Sequence, residues 1–466
     1  MLINENKKCT IFLLLFAIAL ILLNLIIPKI LFGDVEQYVG VAKEFAGIGN
    51  TRIHNPHSFV YSILISPFLK LFPYLITIKI INLIWLILIG LLLYISTKKI
   101  KTLLIWIFSP IVWYMAGWIS PILPVAFLIT WSYLLFKKWE RTNRIFPFIL
   151  SAIFLGVSSM LWDGIIFINL LFILIFFFNK ELKKTFFYLL IYSIIFSLRF
   201  IIDYIIFKFP FYSIVRFFGA WVVILLGLNK IIKAGICLEW IWLPIIISPL
   251  LFMVYKVDYK KYLKEILFLI ISLFIFSPMA ETRYLLVLAP ISILLLNTVL
   301  KNKDLILIHV LVSIFIVILI FFMGLPFDYE TPFFFSETSE NQRFIKNDLK
   351  KIDKDFAGEG IIAGGEKDSG LAAIFSVFYW GKNIPEFIWA DEYYLSTRNQ
   401  TVFTDYIFES KTKIKESRKL KIHASLERPD QRDLSYVRYM ITKKNERTPE
   451  SFKLIKCYTL LCVYKK

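Results

Sequence analysis

The sequence predicts an α-helical polytopic membrane protein of about eleven spans, with interfacial helices in its first outer loop and an extracytoplasmic α/β domain at its C-terminus. Three observations carry this reading. Hydrophobic residues make up 58% of the 466, and mean hydropathy is +0.70, values that a soluble globular chain does not reach. The formal charge is +19, but Lys and Arg fall in short clusters between apolar runs, which is a record of membrane topology rather than of a nucleic-acid surface. After Leu325 charged residues become frequent, and no run is long enough to cross a bilayer.

The clusters are Lys7/Lys8, Lys98/Lys99/Lys101, Lys137/Lys138/Arg141/Arg144, Lys180/Lys183/Lys184, Lys256/Lys260/Lys261/Lys264 and Lys301/Lys303. Placing all of them on the cytoplasmic side requires spans near 10–28, 75–96, 102–119, 121–137, 145–161, 164–178, 185–205, 238–255, 264–278, 283–300 and 304–323. An odd number of spans puts the N-terminus inside and residues 325–466 outside the cell membrane. The first apolar run is long enough to span and lacks a small-residue cleavage site, so it reads as an anchor rather than a cleavable signal. Phe59–Phe72 and Tyr212–Leu228 fit this alternation only as interfacial or re-entrant helices on the outer side.

Phe32 to His57 is the first break in the apolar sequence, and acidic and polar residues gather there. Val35, Tyr38, Val39, Ala42, Phe45 and Ala46 recur at intervals of three and four, the spacing of an amphipathic helix too short to span. Its polar face, with Glu36, Gln37, Lys43 and Glu44, is expected to meet water. Gly33 and Asp34 precede the first turn; Gly47, Gly49 and Asn50 follow the last. In the outer domain, Phe344 to Phe356 marks a helix, while 360–365, 434–441 and the last dozen residues read as strands. A hairpin at this end would bring Cys457 and Cys462 together, although their spacing does not require a bridge. Asn399-Gln400-Thr401 is a glycosylation sequon if that domain lies outside.

Two groups of residues could carry chemistry. Asp34 is either an N-cap, accepting from first-turn amides, or a general base at the depth where a lipid-borne substrate meets a water-borne hydroxyl; Glu36 is the alternative base. Arg283 either snorkels at a span end or uses its planar donor fork on a lipid phosphate. Glu281, Tyr284, Tyr38, Arg52, His54 and His57 complete the candidate substrate-binding set, with Arg199 and Arg216 as cations of the same kind. The histidines lack a third metal ligand, so no metal and no other cofactor is indicated. Asp163 and Asp203 lie near outer span ends, where each needs a cation. Trp113, Tyr114, Trp118, Trp240 and Trp242 read as interfacial anchors.

GDVEQY after the first span, HNPHSFVYSILISPFLKLFP, FSPIVWYMAGWIS and ETRYLLVLAP occur in that order over most of residues 1–323. In this the chain resembles the GT-C superfamily of polyprenyl-phosphate-sugar glycosyltransferases, in particular the protein mannosyltransferase and aminoarabinose transferase branch. The resemblance implies a GT-C-like fold for residues 1–324 and inverting transfer of a sugar from a polyprenyl (dolichyl) monophosphate to a glycan, lipid or protein hydroxyl outside the membrane. It implies Asp34 as base and Arg283 near the donor phosphate. The chain departs from the branch in Val35 separating Asp34 from Glu36, and in Trp162-Asp163-Gly164 where the branch has Lys-Gly-Pro. A multi-span lipid or solute transporter is the alternative, which inverted repeats would favour.

Overall fold

The computed structural model describes residues 2–26, 35–48, 53–54, 59–178, 180–207, 210–211, 213–214, 261–276, 282–299, 307, 310–312, 314–315, 318, 337–356, 361–363, 377–381, 387–389, 422–423, 438–444 and 452–466. By internal contacts the chain divides into two units: Met1–Ile30, Lys79–Arg199 and Val222–Ser336 form one, and Leu31–Ile78, Phe200–Trp221 and Glu337–Lys466 the other.

The first unit is helical. It holds α1 (Leu2–Ile26) and, in order, α4 (Leu75–Thr97) from Lys79 on, α5 (Ile100–Ile107), α6 (Pro110–Met115), α7 (Ile122–Thr142), α8 (Ile145–Leu161), a 3-10 turn at Asp163–Ile165, α9 (Ile166–Phe177), α10 (Leu182–Phe207) up to Arg199, α11 (Leu263–Phe276), a 3-10 segment at Thr282–Val287 and α12 (Ala289–Val299). Among the described residues α4, α7 and residues Leu182–Ile205 of α10 are long and apolar enough to cross a membrane, as a multi-pass membrane protein requires. The outward apolar residues of α10, such as Phe186, Ile194 and Ile201, are exposed along its length, the surface a lipid-facing helix presents.

Two expected spans are not continuous helices. The run 102–119 breaks between α5 and α6, because Pro110 has no N–H to continue the ladder and holds Ser109 in extended backbone (φ −66°, ψ 126°). The run 283–300 opens as the 3-10 segment and becomes α-helical only at Ala289, with Pro290 in its first turn. The expected span 238–255 lies outside the described residues.

Polar side chains join the helices where hydrocarbon would leave them unsatisfied. The Ser132 and Ser151 hydroxyls lie 3.0 Å apart, linking α7 to α8, and the Tyr188 hydroxyl of α10 joins Ser151 at 2.8 Å. Asn169 Nδ2 of α9 donates to Ser158 and Ser159 at 2.8 Å each, and the Ser159 and Tyr192 hydroxyls lie 2.8 Å apart. Gly156 permits this closeness: a Cβ there would stand 2.8 Å from Ile195 Cβ and 3.1 Å from the Tyr192 carbonyl. At one end of the helices the basic clusters are partnered. Lys137 donates to Glu265 at 2.8 Å and to Glu140 at 3.1 Å, and Lys180 reaches Glu140 at 2.9 Å.

The second unit contains α2 (Val35–Ala46), β1 (Ile53–His54), α3 (Phe59–Leu71), α13 (Glu337–Asp355) and strands β2 (Ile361–Ala363), β3 (Phe387–Trp389), β4 (Ile422–His423), β5 (Tyr439–Lys443), β6 (Lys453–Cys457) and β7 (Leu461–Lys465). Their mixed sheet runs β3-β2-β5-β7-β6, with β3, β2 and β5 parallel and β5, β7 and β6 antiparallel. Ile345, Leu349 and Ile352 are buried at helical spacing on α13, and its Asp348 carboxylate accepts the amides of Leu460 and Leu461 at 2.7 and 3.2 Å, fixing the β6–β7 turn. Cys457 and Cys462 face each other across that hairpin and form a disulfide. The sequon at 399–401 lies outside the described residues.

Candidate functional site

The helix expected over residues 35–46 forms with those bounds. Its end is fixed by Gly47 at φ 76°, where the Gly47 amide donates to Glu44 O at 3.0 Å and the Ile48 amide to Lys43 O at 2.9 Å. This is a Schellman closure, whose left-handed residue favours glycine. Val35, Val39 and Ala42 bury the apolar stripe against α3, where Tyr38 meets Tyr61 edge to face at 5.4 Å and Ser62 Oγ donates to the Tyr38 carbonyl at 3.0 Å. Each large apolar side chain so buried contributes about 1.5–3 kcal/mol. Tyr38 therefore sits in the packing between the two helices.

Lys43 does not meet water. Its side chain is 1% exposed; the ammonium donates to the main-chain carbonyl of Tyr379 and lies 4.2 Å from the Trp380 ring centroid. Burial lowers its pKa to about 7, with the Glu44 carboxylate pulling the other way. The Tyr379 hydroxyl donates to Asp353 of α13, so residues 377–381 are tied to both helices. Four of the sequence candidates, Asp34, Arg52, His57 and Glu281, lie outside the described residues, as does Arg216. For Glu36 and His54 the backbone alone is described: Glu36 in the first turn of α2, His54 in β1, paired in parallel register with His423 of β4.

In the first unit, Arg283 lies in the 3-10 segment and is 4% exposed. Its guanidinium carbon stands 5.0 Å from the Trp118 ring centroid and 5.3 Å from that of Tyr284. Tyr284 in turn packs on Trp162 at 4.9 Å and on Phe276 at 5.8 Å. Trp162 reaches this position by folding over Gly164, where a Cβ would come within 2.4 Å of its ring. The result is a cation clad by aromatic faces, whose quadrupoles stabilise positive charge away from bulk water. Trp118 and Tyr114, both expected as interfacial anchors, are 6% and 5% exposed, with ring centroids 5.8 Å apart, Tyr114 on α6 and Trp118 just after it. The indole Nε1 of Trp118 is buried, with no hydrogen-bond partner among the described residues.

Asp163 and Arg199 pair, joining the turn after α8 to α10, and Arg199 also approaches the Ser159 carbonyl at 3.5 Å. In the second unit the Asp203 carboxylate accepts the amide and hydroxyl of Ser213 at 2.9 and 2.6 Å, a cap on the turn that follows α10. Among the described residues no group of three His, Cys, Asp or Glu side chains could hold a metal ion. Of the residues that sequence reasoning missed, Trp118, read as an interfacial anchor, and Trp162, given no site role, pack on Arg283 and Tyr284 in the first unit, while Lys43, read as facing water, is buried in the second. The signal for the two tryptophans lay in the motifs that contain them. No family model and no curated protein matches the chain.

Proposed function

We propose that the protein is a membrane glycosyltransferase that moves a sugar, with inversion, from a polyprenyl (dolichyl) monophosphate to a hydroxyl of a glycan, lipid or protein outside the cell membrane. The observation that carries this reading is the buried guanidinium of Arg283, set between Trp118 and Tyr284 in a helical membrane unit. A fork of N–H donors in a low-dielectric surrounding suits a phosphate monoester, which is both the binding handle and the leaving group of such a donor. Phosphate leaves without strong acid assistance, so the chemical demand falls on deprotonating the acceptor hydroxyl. Asp34, next to α2 in sequence, takes that role in this proposal, with Glu36 one turn-start away.

The reading sets the N-terminus in the cytoplasm and residues 325–466 outside, with about eleven spans. Single cysteines at positions 100 and 360 test this, since outside labelling at 100 with protection at 360 contradicts it. The decisive experiment is release of polyprenyl phosphate from a sugar-charged lipid by the purified protein. Asp34→Asn keeps the capping oxygen but removes the base. Loss of transfer by a folded variant with normal donor binding supports the base role, and normal transfer leaves Asp34 a cap.

A lipid or solute transporter is favoured by one observation, the buried Asp163–Arg199 pair within the helical unit. It requires transport without cleavage, so phosphate release also separates the two readings.

A further inference from the structure

The exposed side of α13 carries a line of positive charge. Arg343, Lys346, Lys350 and Lys354 recur at intervals of three and four, which places them on one helical face, opposite the buried stripe of Ile345, Leu349 and Ile352. All four are exposed, Lys351 flanks them, and the row runs for roughly 16 Å at the rise of an α-helix. The described carboxylates of the helix are engaged elsewhere: Asp348 holds the β6–β7 turn, Asp353 accepts from the Tyr379 hydroxyl and Asp355 pairs with Lys456. None of the four cations forms an ion pair among the described residues. Lys346, Lys350 and Lys354 are successive i,i+4 neighbours, so like charges adjoin on the helix and weaken it until something negative lies along them.

From this geometry we infer that the α13 face is a docking surface for the anionic lipid headgroups of the bilayer that holds the protein. Charge complementarity sets the sign of the partner, and two observations in the same unit set its class. α3 leaves Leu64, Phe68, Leu71 and Phe72 exposed, and three residues after it the chain enters α4, a helix long and apolar enough to cross a membrane. The unit is therefore tethered at a bilayer surface, where headgroups are met at high effective concentration. The row itself is straight, made of flexible cations and without an exposed aromatic ring among its members, so it reads charge rather than the shape of a sugar or a base. Asp353, Tyr379 and Lys43 link α13 to α2, so lipid held on α13 also holds the helix that follows Asp34 in sequence. The docking does not depend on which reaction the protein performs.

Asn347 is exposed within the row, so Asn347→Cys, with Cys9 and Cys237 replaced by serine, carries a fluorophore there without removing a cation. The full-length protein is placed in nanodiscs of phosphatidylcholine alone or of phosphatidylcholine with phosphatidylglycerol, each with a trace of headgroup-spin-labelled phosphatidylcholine as quencher. Quenching should be strong in the anionic discs, weak in the neutral ones, and lost at about 1 M salt, where the screening length falls to about 3 Å. Each cation at an anionic surface is worth about fivefold in the ratio of docked to undocked protein, so joint replacement by Lys346→Gln, Lys350→Gln and Lys354→Gln should lower that ratio about a hundredfold. Glutamine keeps the helix propensity. If the triple variant nonetheless melts lower than wild type, Lys350→Gln alone, with an expected loss of about fivefold, carries the test. Lys183→Gln on α10, which removes an exposed cation of the other unit, should leave quenching unchanged. Equal quenching in neutral and anionic discs, or an equal loss in Lys183→Gln, overturns the inference. So does an absence of quenching in both discs, and capture of soluble polyglutamate by wild type but not by the triple variant would then give the face to a soluble polyanion.

Discussion

The ammonium of Lys43, in the last turn of α2, donates to the main-chain carbonyl of Tyr379, 336 residues away in sequence, and lies against the neighbouring Trp380 ring. A residue on the polar face of an amphipathic helix thereby becomes the point at which α2 is held to residues 377–381. The unit that contains α2 also contains α13 and the sheet. The segment that follows the proposed base in sequence is thus anchored by packing within its own unit.

This burial has a pH signature. The folded pKa of Lys43 is about 7, while the unfolded side chain keeps a value near 10.4. Between those values the unfolded chain binds the extra proton, so stability rises with pH across that window, and below about 7 both states are charged and the full desolvation cost remains. Lys43→Met removes the titration. The melting temperature of wild type relative to Lys43→Met should therefore climb between pH 7 and pH 10 and stay level from pH 5 to 6.5. A difference independent of pH would mean that Lys43 is not desolvated.

Arg283→Lys keeps the charge but loses the planar fork and the stacking on Trp118. Transfer is expected to fall about tenfold for lysine and about a hundredfold for alanine, with donor affinity falling in step. If both variants transfer sugar at the wild-type rate, Arg283 is a packing residue only.

Arg199→Met strands the buried Asp163 carboxylate, at a cost of about 3–5 kcal/mol. The double variant Asp163→Leu with Arg199→Met removes both charges and should recover most of that loss, because a well-packed apolar pair often replaces a buried ion pair without penalty. Thermal melts of the three proteins in one detergent decide the matter. A double variant as unstable as Arg199→Met alone would give the pair a role beyond mutual neutralisation.

The Cys457–Cys462 bridge closes a short hairpin, and its removal by paired serine substitution should cost about 2 kcal/mol on chain-entropy grounds. Alkylation of denatured protein checks the bond directly. Both cysteines should react only after reduction, and labelling before reduction would show that they are free thiols.

Periodicity and hydropathy determined a good deal of this protein. The bounds of α2, the bounds of α8, the helix α3 and the cores of α4, α7 and α10 were all legible, because apolar stripes and basic punctuation are local signals. Pro110 and Pro290 stood in the sequence too, but hydropathy averages over a proline, so the break between α5 and α6 and the 3-10 start before α12 emerged only from the backbone. Tertiary structure alone decided which polar residue meets which. Lys43 turned inward to a carbonyl far along the chain, Asp163 took Arg199 while Asp203 capped Ser213, and Trp118 came to lie against Arg283. The physical reason is the same in each case. A charge or a donor withdrawn from water must find its partner in space, and no spacing along the chain encodes a partner contributed by another element.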